Sequence, residues 1–139
     1  MEKEVIRTMI ERAMEMLKFS YTPYSNFKVA AALKAKDGRI FGGCNIENAA
    51  YSPGNCAERT AFFKAVSEGV TEFDSIVILG GKNGTIENYC PPCGVCRQVM
   101  MEFCDPKTFQ VILAKSKEEF KVFTLEEILP LGFGPKDLR

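Results

Sequence analysis

Ile6, Ile10, Ala13 and Leu17 recur at the spacing of one helix face, and the polar residues between them make the opening stretch an amphipathic helix. The pattern breaks at "SYTPYSN", where Pro23 and its neighbours cannot continue a helix. In "FKVAAALKAKDGRIFGGCN" two β-leaning runs flank Asp37-Gly38, a dipeptide favoured in tight hairpin turns because both central residues tolerate positive φ, so an antiparallel pair is predicted. "CAERTAFFKAVSEG" is rich in helix formers and ends on Gly69, a residue suited to a C-terminal cap. "FDSIVILGG" is an apolar run of buried-strand type, and "PPCGVCRQVMMEF" predicts a helix whose first turn accommodates the prolines. "KTFQVILAKS" and "EFKVFTL" predict two more strands, before a short helix over "TLEEIL" with Thr124 as its cap. The resulting order, α-β-β-α-β-α-β-β-α, describes an α/β fold with one mixed sheet of about five strands and helices packed on both faces.

Nothing along the chain divides it: there is no repeat, no low-complexity tract and no long linker. Its 139 residues, 46% of them hydrophobic, suit a single domain over residues 1–139 with a core that needs no disulfide staples. Lysine plus arginine equals aspartate plus glutamate at 18 each, which leaves no electrostatic footprint for nucleic acid or an anionic membrane and favours a small neutral or zwitterionic partner. The first residues scatter their charges through an amphipathic pattern, unlike a signal peptide, and no apolar run is long enough to span a membrane. A cytoplasmic location is the expectation. In that reducing compartment clustered cysteines read as metal ligands or catalytic groups before they read as disulfides.

The chain has six cysteines and no histidine, and "ENYCPPCGVCRQ" sets Cys90, Cys93 and Cys96 at three-residue intervals. Cys56 falls at the start of one predicted helix, Cys93 and Cys96 at the start of another. Two helix N-termini aimed at one point lower thiol pKa values, and the thiolates they favour are what zinc binds. Cys93 and Cys96 can chelate one ion from a single helical turn while Cys56 closes a third position, leaving one tetrahedral vertex. Filled by Cys90 or Cys104, that vertex makes a closed structural site; left open, it carries an activated water. Glu58, two residues beyond Cys56, favours the open arrangement, because a hydrolytic site needs a base beside the metal and a structural one does not. A ferredoxin-type loop also begins C-x2-C-x2-C, but its next cysteine comes sooner and is followed by proline, whereas Asp105 follows Cys104.

"CAE" followed by "PCGVC" resembles the zinc nucleoside and nucleobase deaminases, in the variant that replaces the usual histidine ligand by cysteine. More specifically, "FKVAAAL", "GCNIENAAYS", "NCAERTAFFKAVSEG", "PCGVCRQVM" and "ILPLGF" follow in the order and approximate spacing of the small cytidine deaminases, over nearly the whole chain. The resemblance implies their three-layer fold and one Zn²⁺ per chain, held by Cys56, Cys93 and Cys96. It implies that Glu58 shuttles a proton from zinc-bound water to the ring N3 and then to the leaving amine. It makes Arg59 the residue that hydrogen-bonds the thiolates and withdraws the excess charge three of them place on the metal.

Substrate contacts follow from the same resemblance. Asn45 and Glu47, alternating at a strand end so that both share one face, would bind the ribose hydroxyls. Phe27 would stack near the pyrimidine, and the backbone of Ala57 would bind the base near the zinc. Phe133 resembles a C-terminal aromatic that reaches a neighbouring subunit's site, with Tyr51 at the shared interface, so a homotetramer with active sites between subunits is implied. Cys90 is expected just outside the ligand shell, and Cys44 and Cys104 as small buried apolar residues. Among deaminase substrates, polynucleotides are disfavoured by the balanced charge. Nucleoside monophosphates are disfavoured because their deaminases use a histidine ligand, and "CNIENAAYS" resembles the nucleoside enzymes more than the antibiotic deaminases. Free cytidine and 2′-deoxycytidine, with water, are the expected substrates.

Overall fold

The computed structural model describes residues 2–139. Helix α1 (Lys3–Met16) leads through a 3₁₀ turn to the antiparallel strands β1 (Phe27–Ala35) and β2 (Ile40–Cys44). Helix α2 (Ala57–Ser67), strand β3 (Phe73–Lys82), helix α3 (Gly94–Phe103), strands β4 (Gln110–Ala114) and β5 (Phe120–Thr124) and the single-turn α4 (Leu125–Ile128) follow. Among the described residues these strands form one five-stranded sheet in the order β2-β1-β3-β4-β5. Only the β3–β4 pair is parallel, so the sheet is mixed, with α3 on the crossover.

The alternation along β1 explains the layers. Ala30 and Ala32 face one side and join Ile6, Met9, Ile10 and Ala13 of α1, together with Val77, Leu79 and Ile112. Ala31 and Leu33 face the other side and join Ala57, Ala61, Phe62 and Ala65 of α2, Met100 of α3 and Leu125 of α4. Helices therefore cover both faces, as the apolar pattern predicts. β3, flanked on both edges and packed on both faces, buries nearly every side chain, which is why it reads as an unbroken apolar run.

Two local details differ from the sequence expectation. The β1–β2 connection is not a two-residue turn: Gly38 N–H donates to the Ala35 carbonyl at 3.0 Å and Ala35 N–H to Arg39 O at 2.9 Å. That is a three-residue loop ending on a left-handed Gly38 at φ 99°, and Asp37 keeps negative φ while its carboxylate accepts from Arg39. At α3 the prolines lie outside the helix, because Cys93 itself occupies the N-cap and Gly94 the first helical position. Pro91 and Pro92 instead stiffen the approach to the cap.

The packing of α2 on β2 sets the position of everything catalytic that follows. A Cβ at Gly43 would lie 2.4 Å from the Ala57 carbonyl oxygen and 2.6 Å from the Ala61 nitrogen, so the first turn of α2 rests directly on strand backbone. Gly43→Ala must push that turn away, and it should cost about 1–3 kcal/mol in the urea or guanidinium midpoint. Gly94→Ala, whose added methyl would meet nothing within 4 Å, should stay within about 0.5 kcal/mol of the parent.

Candidate active site

α2 and α3 both begin on a cysteine. Cys56 is the N-cap of α2 and Cys93 the N-cap of α3, each in extended backbone, and Cys96 follows in the first turn of α3. The two helix starts meet: Cys56 Sγ lies 3.8 Å from Cys93 Sγ, and Cys93 Sγ lies 3.6 Å from Cys96 Sγ. All three sulfurs fall within 4.8 Å of one another, the one such group of His, Cys, Asp or Glu ligand atoms among the described residues. Sulfurs at zinc–thiolate bonding distance on a tetrahedron stand roughly 3.8 Å apart, so the triangle fits one zinc ion.

Arg59, one turn into α2, donates from Nη2 to Cys56 Sγ at 3.2 Å. Burial opposes its charge, but the hydrogen bonds to Cys56 and Cys96 outweigh that and raise its pKa further. The buried Nε has no hydrogen-bond partner, so the guanidinium is committed to the sulfurs at the cost of one donor. In the metal-free chain the hydrogen bond from Cys96, with Arg59 behind it, holds the Cys56 thiol down to about 5. Cys96 is shifted the opposite way by the same shared proton, and by burial. The Cys56 thiol is thus biased toward the thiolate a metal would need.

Glu58 is buried, with 4% of its surface exposed. Burial, reinforced by the nearby Cys56 charge, pushes its carboxyl up to about 7. Such a group can both take and give a proton near neutral pH.

Beside the cysteines opens a cleft of about 450 Å³, lined by Tyr24, Asn45, Ile46, Glu47, Tyr51 and Cys56 among others. Its wall is the irregular stretch after β2, which bridges to Tyr21 on one side and Asn55 on the other through Ile46. Asn45 is fixed by accepting from Val29 N–H at 3.0 Å and donating to Phe27 O at 2.8 Å. Glu47 accepts from the Tyr24 and Ser25 amides at 3.0 and 3.1 Å and from the Ser25 hydroxyl. That hydroxyl bond, with the two amide bonds behind it, holds the Glu47 carboxyl below its ordinary value. Ser25 Oγ also accepts from Phe27 N–H, so one serine locks the cleft wall to the start of β1. Nothing in the polar stretch "TPYSN" marked Ser25 or Tyr24 as site residues; only the long-range pairing with Glu47 reveals them.

Other expected residues fall elsewhere. Phe27 lies outside this cleft, 41% exposed, and lines a smaller cavity with Gly80, Gly81 and Tyr89. Phe133 is 57% exposed on the C-terminal stretch, its carbonyl accepting from Gln98, and Tyr51 stands almost fully exposed at the cleft mouth. Ala57 is buried in the first turn of α2. Cys90 is half-buried, its thiol pushed up to about 11 by burial, and its sulfur is outside the three-sulfur group. Cys44 and Cys104 are buried, as expected of free cysteines that pack as small apolar side chains.

The burial of Glu58 generates a stability prediction. An unfolded glutamate loses its proton near 4.5 and the folded one near 7, so between these values the native state binds more protons and stability falls as pH rises. Above pH 7 the deficit is constant at about 3 kcal/mol. Glu58→Gln should therefore stabilise the metal-free chain by about that amount at pH 8 and by almost nothing below pH 4.5, measured by chemical denaturation across pH. For Arg59→Ala the expectation is a folded chain whose Cys56 thiol pKa rises toward that of an ordinary cysteine, measured by thiolate absorbance.

Comparison with known proteins agrees with this geometry. The family model for the cytidine and deoxycytidylate deaminase zinc-binding region matches residues 3–112. The chain is 44% identical to a cytidine deaminase of Sporosarcina psychrophila over 96% of this chain and 94% of that one. To a cytidine deaminase of Halalkalibacterium halodurans it is 42% identical, over 94% and 95% of the two chains. The crystal structure of cytidine deaminase from Burkholderia pseudomallei superposes with a TM-score of 0.81 at 43% identity, covering 91% of this chain and 97% of that one.

Proposed function

The chain belongs to the cytidine and deoxycytidylate deaminase zinc-binding family, and from that premise we propose that it hydrolyses free cytidine and 2′-deoxycytidine to uridine and 2′-deoxyuridine with release of ammonia. The observation that carries this reading is the meeting of two helix N-termini at three thiols, with a buried carboxyl beside them and a cleft lined by no lysine or arginine in front.

Cys56, Cys93 and Cys96 hold one zinc ion, which when bound supplies the Lewis acidity that makes a water nucleophilic at neutral pH. Glu58 carries the protons. Water adds across the C4–N3 bond of the pyrimidine, its oxygen going to C4 and one proton passing through Glu58 to N3. Glu58 then moves the second proton to the 4-amino group; the C4–N bond breaks, ammonia leaves, and C4 becomes a carbonyl. Arg59 drains charge from the thiolates, and the free backbone amide at Ala57 anchors the base.

Glu47 and Asn45 bind the sugar hydroxyls from the cleft wall. Glu47 retains acceptor capacity because each carboxylate oxygen has more than one lone pair. No lysine or arginine lines the cleft, and a fixed carboxylate does. A nucleoside phosphate would meet repulsion there, which supports a neutral nucleoside over a nucleotide or polynucleotide. Phe27, at the start of β1 and tied through Ser25 to the cleft wall, stacks near the base, and Phe133 reaches the site of a neighbouring subunit. The exposed rings of Tyr51, which lines the cleft, and of Phe133, on the C-terminal stretch, are the ones a homotetramer with sites shared between neighbouring subunits would cover. No described helix is long and apolar enough to cross a membrane. Ligands that must stay reduced support a cytoplasmic enzyme acting as one domain.

Purified protein offered cytidine should bind about one zinc per chain and convert the nucleoside to uridine and ammonia, followed by the ultraviolet change. Glu58→Gln should keep the zinc and lose turnover by roughly 10³-fold. Cytidine 5′-monophosphate should be processed at least roughly tenfold less efficiently in kcat/KM. Near-normal turnover by Glu58→Gln, or a preference for the monophosphate, would contradict the assignment.

A further inference from the structure

The guanidinium of Arg97 takes no part in the chemistry above, yet it joins the backbone just before the most exposed metal ligand to the end of α4. Its Nε donates to the Pro92 carbonyl at 2.8 Å, and its Nη1 donates to the Ile128 carbonyl at the end of α4. Pro92 is buried, directly precedes Cys93, and has no N–H of its own, so its carbonyl is the one backbone handle that residue offers. Ile128 closes α4, where terminal carbonyls lack intrahelical partners. A rigid planar fork is the side chain able to satisfy both at once and to set their separation.

Among the three ligands Cys93 most needs such a brace. Cys96 is buried in the first turn of α3, and Cys56 is held by Arg59. Cys93 is exposed, sits at a helix cap without a side-chain capping bond, and is approached through an irregular stretch. Both of the close sulfur–sulfur separations, 3.8 and 3.6 Å, run through it. The far anchor is firm: α4 carries a reciprocal capping box between Thr124 and Glu127, and Leu125 is fully buried. The next residue of α3 repeats the tie, Gln98 Nε2 donating to Phe133 O at 2.8 Å.

We propose that Arg97 is a positioning residue for the zinc site: braced on the end of α4, it holds the Pro92 carbonyl and through it the Cys93 sulfur in the thiolate triangle. The proposal rests on the reading of Cys56, Cys93 and Cys96 as zinc ligands. Arg97 differs in kind from Arg59, because both of its hydrogen bonds go to backbone carbonyls and neither goes to a sulfur. Its loss loosens a ligand; the loss of Arg59 changes a charge.

The test follows zinc leaving the zinc-loaded wild type, Arg97→Gln and Arg97→Lys into excess chromophoric chelator, alongside thermal melts of the metal-free chains and absorption spectra of the cobalt-substituted forms. Zinc should leave Arg97→Gln roughly 10- to 100-fold faster than wild type, the range for losing a group that orients a metal ligand. Arg97→Lys, whose ammonium reaches one carbonyl but cannot span both, should fall between, and the cobalt–thiolate bands of Arg97→Gln should shift. A lowered melt with an unchanged release rate assigns Arg97 to general stability and overturns the proposal. If Arg97→Gln does not fold, wild-type release from Arg97→Lys overturns it equally. A wild-type chain that binds no zinc removes the ligand reading and the proposal together, whereas zinc-bound wild type with indifferent variants removes the proposal alone.

Discussion

Two helices start at the same point in space, and the electrostatics of that meeting govern the rest of the molecule. Three sulfurs within 4.8 Å of one another repel once ionised, and the fold counters that repulsion with the positive ends of α2 and α3 and with the Arg59 guanidinium at 3.2 Å. The convergence depends on how closely α2 can approach the sheet. At Gly43 the strand presents no side chain, so the helix backbone comes to rest where a methyl group would already collide with Ala57 and Ala61. A helix a conventional distance away would carry Cys56 and Glu58 with it. The glycine in β2 and the metal geometry are therefore one constraint seen at two levels.

The cleft is built by a different device. Its wall lacks regular strand pairing, and side chains do the work of a ladder: Asn45 bridges Val29 N–H and Phe27 O, while Glu47 gathers the amides of Tyr24 and Ser25. A carboxylate held by several donors is a poor base, and the lowered pKa of Glu47 agrees with that. Glu58 lies in the opposite regime, buried and raised toward neutrality. Two glutamates are thus driven apart by environment, one into a fixed anion and one into a group that titrates near neutrality.

How much of this was legible follows from the range of the interactions involved. Regular elements were, because Ala30 and Ala32 alternate with Ala31 and Leu33 across a sheet covered on both sides, and each face leaves its mark on the pattern. The thiol triangle and the buried Glu58 beside it were legible because their places follow from helix starts, a local property of sequence. The Asp37-Gly38 loop was recognised as a turn but mistyped, since the choice between two and three residues lies in the closing bonds from Ala35 and not in the dipeptide. Ser25 and Arg97 were missed for a common reason. Their partners, Glu47 and Ile128, stand 22 and 31 residues away in unpatterned segments, and no periodicity records a contact of that kind. Phe27 is a case the pattern leaves open. A strand-opening phenylalanine could be core or substrate contact, and in this chain it is 41% exposed and lines a small cavity separate from the main cleft.

The site also explains why the surrounding core must be as well packed as it is. A carboxyl kept from water against its preference, and a guanidinium nitrogen left without a partner, both oppose folding. They are held in place by neighbours that contribute little chemistry: Ala61 and Phe62 on the buried face of α2, Met100 of α3 and Leu125 of α4, all with no exposed surface. Phe62 meets Phe73 edge to face at 5.1 Å, directly behind the helix that carries Glu58. Relaxing that packing would admit water and restore Glu58 to an ordinary, permanently ionised carboxylate. The raised pKa of the residue is thus maintained by apolar packing several residues away.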